Sequence, residues 1–170
     1  MFDSCVLGVD PGIASLGIAA VARRDRRPDL LWTETVRTPA DQREQHRLAR
    51  IYAAVRAAID AHAAAALAVE RVAWNRNVTS GLQVARATGV VLLAAADAGI
   101  DVAEYGPLEV KLAITGVGNA SKRQVHAALV SAHGLRGVPS QPDAADAVAV
   151  AVCHVTQSRL RRAADRAVAR

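Results

Sequence analysis

Four acids and two lysines are the residues of this chain best suited to chemistry on a polyanion. Asp10 ends the apolar run "CVLGVD" and precedes "PG"; Glu70 interrupts "LAVERVAW" where a buried strand favours an apolar residue. Asp143 and Asp146 stand at the mouth of "PDAADAVAVAVCHV", three residues apart and so on one face of a helix. A buried carboxylate is costly unless paired, hydrogen-bonded or bound to a metal. If the strands ending in Asp10 and Glu70 are neighbours, their carboxylates reach the same sheet edge, and four acids converging there without matching cations repel one another. A pair of Mg²⁺ or Mn²⁺ ions removes that repulsion; held about 3.5–4 Å apart by carboxylates, they activate a water and stabilise the leaving oxygen in phosphodiester cleavage. Of the 21 basic residues only Lys111 and Lys122 are lysines. In an arginine-biased chain two lysines close together hint at positions that need a compact ammonium, although the count alone favours chance.

Each acid also has a plainer explanation. Ser140 followed three residues later by Asp143 has the spacing of a capping box, Asp146 lies where the helix dipole favours negative charge, and an aspartate before Pro-Gly is an ordinary turn residue. Glu70 resists that treatment best. The joint placement carries the reading, not any one acid.

Periodicity supplies the elements that must position these groups. "SCVLGVD", "SLGIAAVA" and "DLLWTETV" read as a meander of three strands, the last two separated by "RRDRRPD", where Pro28 and the charge cluster mark a turn. Leu48, Ile51, Tyr52, Val55 and Ile59 recur at helical spacing and predict an amphipathic helix over 42–62. "ALAVERVA" returns to strand. A long helix over 78–98, closed by Gly99 in the left-handed conformation, is apolar on every side from Val84 to Ala96. One of its faces is expected to meet the core and another a partner subunit, making a homodimer; the alternative is that loops cover it. The strand "DVAEY", a helix opened by Pro107, a helix capped by Ser121 and ended by Gly134, and the helix of the acid pair complete the chain. The fold class is α/β, a mixed five-stranded sheet flanked by helices. Its strand–helix–strand crossover makes the first and fourth strands parallel, and ligands in such sheets collect at the carboxyl edge.

At 170 residues, one domain over 1–158 with a basic tail over 159–170 is expected, and folding should bury roughly 70% of the unfolded surface. The net charge of +5 favours a polyanionic partner. Cys5 and Cys153 lie in apolar runs without zinc-site spacing, no secretory signal precedes Asp3, and no uncharged apolar run approaches about 20 residues. A cytoplasmic protein with no membrane role is expected. "GVGNASK" lacks the glycine and lysine spacing of a P-loop.

"LGVDPGIASLGIA", "AVERVAWNRNVTSGLQVARATGV", "EYGPLEVKLAITGVGNASKRQV" and "PDAADAVAVAVCH" together resemble the successive motifs of the RuvC family of Holliday junction resolvases, in order over most of residues 5–155. The resemblance implies a ribonuclease H-like fold, a homodimer, and metal-dependent paired nicking of four-way DNA junctions alongside the RuvA–RuvB branch migration machinery. By motif, Asp10, Glu70, Asp143 and Asp146 match the family's catalytic acids, and Lys111 and Lys122 match lysines near the scissile phosphate. One departure stands out. Where the family commonly carries a wedging phenylalanine this chain has Ala73, with Trp74 one place later, so Trp74 is expected to stack on an unpaired base. Arg76 and Asn77 are expected to touch phosphate. Rival readings are a junction-binding module without catalysis, an ATP-binding domain like those of actin and sugar kinases, and a related nuclease acting on RNA.

Overall fold

A computed structural model describes residues 4–25, 27–71 and 78–168. Five strands form one sheet: β1 (Cys5–Asp10), β2 (Ser15–Arg24), β3 (Arg27–Arg37), β4 (Ala64–Glu70) and β5 (Asp101–Tyr105), in the order β3-β2-β1-β4-β5. The meander pairs β1 with β2 and β2 with β3 antiparallel, whereas β1 with β4 and β4 with β5 run parallel. The helices are α1 (Glu44–Ala61), α2 (Val78–Asp97), α3 (Pro107–Thr115), α4 (Lys122–Ser131) and α5 (Pro142–Val168). The mixed sheet and the parallel crossover expected from the sequence are both present.

The sheet separates two cores because side chains alternate along a strand. Leu7 and Val9 of β1, Leu16 and Ile18 of β2, and Leu67 and Val69 of β4 pack against Ile51 and Val55 of α1 and Val91 of α2. The opposite face buries Val6, Ala19, Val21 and Ala68 against α5, with Val110 of α3 and Leu129 of α4 completing that layer. The residues on this second face are small, which lets α5 approach the sheet closely.

Two boundaries differ from expectation. The turn falls inside the expected charge cluster, with Asp25 at φ of 48° in the bend, but Pro28 is not part of it: it pairs with Arg23 inside β3. Proline is tolerated there because β3 is an edge strand, where a missing N–H need not break a ladder. The helix expected to end at Gly134 stops at Ser131, with Leu135 N–H bonded back to the Leu129 carbonyl and Gly134 left-handed at φ of 71° between them. Gly99 closes α2 in the left-handed conformation as expected, and α3 opens with Pro107 in its first turn. The backbone of α5 continues to Val168, through most of the basic segment.

Candidate active site

Strand parity decides where the acids point. Gly8 and Asp10 share a face of β1, as do Ala68 and Glu70 on β4, and on both strands that face is the one covered by α5. Val9 pairs with Val69 in the parallel ladder, so Asp10 and Glu70 emerge side by side at the carboxyl edge. The first turns of α5 arrive at that edge because nothing larger than hydrogen stands in the way. A Cβ on Gly8 would lie 2.1 Å from the Ala147 carbonyl oxygen, and one on Gly17 would lie 2.0 Å from the carbonyl oxygen of Asp143. Gly17 is itself the β2 partner of Asp10. Two glycines therefore set the depth at which Asp143 and Asp146 sit beside Asp10.

Asp10, Glu70, Asp146, Lys111 and Lys122 line one cleft of about 310 Å³, walled by Pro107, Val110, Val125 and Ala149. Burial, followed by the charges of Glu70, Asp146 and Asp143, pushes Asp10 from 3.8 up to about 7, with Lys122 opposing. Burial and the Asp146 charge also raise Glu70, against Lys122 and Lys111. The Lys122 ammonium donates to Asp146 Oδ2 at 2.5 Å, a contact that raises the lysine in turn. Asp143 lies beside the cleft and accepts the Ser15 hydroxyl at 2.5 Å, across 128 residues of sequence. Its carboxylate is thus used by β2 and not by the capping box that its spacing from Ser140 allowed; α5 starts at Pro142, with the Ala145 N–H on the Gln141 carbonyl.

The donor set fits a divalent ion by its chemistry. Three hard carboxylates line the cleft and Asp143 acts on Asp10 from beside it; burial, and after it the charge of neighbouring acids, raises both Asp10 and Glu70, and Mg²⁺ and Mn²⁺ favour such oxygen ligands. With Asp143 on Ser15 and Asp146 on Lys122, no three His, Cys, Asp or Glu side chains among the described residues stand close enough to ligate one ion.

Sequence reasoning missed the residues that brace this edge. Arg47 is 8% exposed and donates from Nε to Thr38 Oγ1 at 2.7 Å; that hydroxyl donates to the Ile13 carbonyl at 2.5 Å, and the Thr38 N–H donates to the Ala14 carbonyl. The pair clamps the turn joining Asp10 to Ser15. Replacing Thr38 by valine strands a buried guanidinium N–H and a carbonyl, so we expect a loss of about 2 kcal/mol in urea denaturation, with the slope unchanged. Arg47 reads in sequence as one more arginine on an amphipathic helix, and nothing local marks it as buried. The glycines leave a faint trace, Gly8 before Asp10 and Gly17 after it in "LGVDPGIASLG". Trp74, Arg76 and Asn77, with Ala73, lie outside the described residues.

Residues 6–154 match the protein family described as crossover junction endodeoxyribonuclease RuvC. A relative of that name from Moorella thermoacetica is 44% identical over 151 residues, covering 89% of this chain and 90% of the relative. One from Mycobacterium tuberculosis is 42% identical over 170 residues, covering 97% of this chain and 90% of the relative. The solved structure of T. thermophilus RuvC in complex with Holliday junction substrate aligns with a TM-score of 0.87 at 35% identity, over 93% of this chain and 96% of that one. Its ribonuclease H-like sheet, its acids at the carboxyl edge and these relatives agree: the chain belongs to the RuvC family of crossover junction endodeoxyribonucleases.

Proposed function

We propose that this protein resolves four-way DNA junctions by paired symmetric nicks, with Asp10, Glu70, Asp143 and Asp146 holding two divalent ions, Mg²⁺ or Mn²⁺. The observation that carries this reading is Asp10, whose carboxyl is pushed up to about 7 by burial and by acids from β4 and α5. When bound, the ions would supply a nucleophilic hydroxide and charge compensation for the leaving oxygen. Asp10, whose carboxyl feels the charge of all three other acids, would serve both ions. Lys111 and Lys122 extend over the same cleft and would bind the non-bridging oxygens of the scissile phosphate, adding positive charge where negative charge builds up. The test is nicking of a synthetic four-way junction beside a linear duplex of the same arms, with and without each metal, by the parent and by Asp146→Asn. Metal-dependent cuts confined to the junction and lost in the variant are expected. Tight binding without any cutting would make this a recognition module.

Paired cuts need two sites, and α2 is the surface that would join them. Leu82 and Leu93, 51% and 53% exposed, lie on one stripe with the exposed small residues Ala85, Gly89 and Ala96. An apolar stripe with small residues at its centre lets two copies of a helix approach closely, and a two-fold interface needs only this one patch. Charging it with Leu82→Glu and Leu93→Glu should halve the sedimenting mass at micromolar concentration and turn paired nicks into single ones. A dimer of unchanged mass would place the interface elsewhere. Cooperation with RuvA and RuvB and a cytoplasmic location complete the proposal. Among the described residues no helix is long and apolar enough to cross a membrane.

A further inference from the structure

We infer that a second cleft, beyond the Lys122–Asp146 ion pair, binds the phosphate next to the scissile one on the cleaved strand, through Arg123 and His126. The inference rests on the endonuclease reading and extends the substrate path past the acids and lysines already described. This second cleft, about 340 Å³, lies between α4 and the start of α5. Lys122, Val125 and Asp146 line both clefts, so the two form one trough crossed by the ion pair.

The polar lining of the second cleft is Lys122, Arg123, His126, Ser140 and Asp146, over an apolar floor that includes Val125 and Leu129. Its one acid, Asp146, is already paired with Lys122. Neither Arg123 nor His126 makes a hydrogen bond or ion pair with the described residues, which leaves a guanidinium fork and an imidazole in a cleft whose one acid is already paired. On α4 His126 lies three residues after Arg123 and four after Lys122, so all three side chains can serve one side of the helix. A DNA strand carries a phosphate about every 3.4 Å of helix axis, so a strand that presents one phosphate to Lys122 brings its neighbour close by. The guanidinium matches the geometry of two phosphate oxygens, and the apolar floor accommodates the sugar between them.

The test uses junctions carrying one uncharged methylphosphonate on either the 5′ or the 3′ side of the cut. Binding is measured in EDTA for the parent, Arg123→Ala, and Arg136→Ala, which removes an exposed cation outside the trough. At one of the two positions the substitution should weaken the parent and Arg136→Ala by about three- to tenfold but Arg123→Ala by less than about twofold, because the contact it deletes is already gone. Arg123→Ala should also flatten the dependence of log K on log salt by about one phosphate's worth. Equal penalties in parent and Arg123→Ala at both positions would overturn the subsite. The parent's nicking of an unmodified junction in Mg²⁺ or Mn²⁺ separates the two ideas: cutting with equal penalties removes the subsite alone, and a parent that never cuts removes the endonuclease reading.

Discussion

Asp10→Asn should lower junction nicking by about a thousandfold or more, a loss of about 4 kcal/mol of transition-state stabilisation, while making the metal-free protein more stable at pH 8. The first effect follows from losing the acid that the proposed metal site most depends on, the one on which the charges of the other three act. The second follows from the sign of its shift. A carboxyl raised from 3.8 to about 7 holds its proton more tightly in the folded state, so the folded state is favoured at low pH. That stability is fully present below about pH 4 and is lost as pH rises to about 7, a change on the order of 4 kcal/mol. Asparagine has no charge to expose. Parent and variant should therefore melt together near pH 4 and diverge by pH 8, the variant higher. Glu70, raised for the same reasons, makes the parent's slope steeper without changing its sign. Mn²⁺ should reverse the order at pH 8, since a ligand that binds only the folded state stabilises it and the variant binds that ligand poorly. A melting difference that is the same at both pH values would mean that neither burial nor the neighbouring acids raise Asp10.

Gly17→Ala tests a different cause of the same site. The added methyl would stand 2.0 Å from the Asp143 carbonyl oxygen and 2.4 Å from its carbonyl carbon, both backbone atoms that no side-chain rotation can clear. Either β2 or the start of α5 must move, and α5 carries two of the four acids. Overpacking of this kind costs about 1–3 kcal/mol or more in stability. A displacement of about 1 Å at a reacting centre costs about a hundredfold in rate, so nicking by the folded fraction should fall by at least that much. Gly8→Ala should behave alike, since its methyl would meet the Ala147 carbonyl oxygen at 2.1 Å. Circular dichroism and melting establish how much protein is folded, and nicking is then compared per folded molecule. Full activity in a merely less stable Gly17→Ala protein would show that close contact with β2 does not place the acids.

The two tests divide the site along the line between what is local and what is not. The ends of β1 and β4 were legible because alternation and punctuation are local: an apolar run stops at Asp10 before Pro-Gly, and Glu70 breaks another. A strand–helix–strand crossover is constrained in hand and direction, so topology alone brings those two ends to one edge. Asp143 and Asp146 were legible as a pair because three residues on a helix is a fixed angle. The charge cluster marked the turn at Asp25, but Pro28 itself lies in β3, because an edge strand tolerates proline and which strand lies at the edge depends on the order of the whole sheet.

By itself, then, the sequence determined which groups are available, which element carries each, and in what order they come. Tertiary structure decided which of those groups meet. Ser15 holds Asp143 from across the chain, Arg47 is buried on Thr38 rather than solvated on its helix, and Arg123 and His126 share a trough with the Lys122–Asp146 pair. Each depends on how closely two elements pack, and that distance is set by side chains on both, as with the two glycines under α5. Local patterns report a residue's conformation and its face; they contain no measure of the gap to the element opposite.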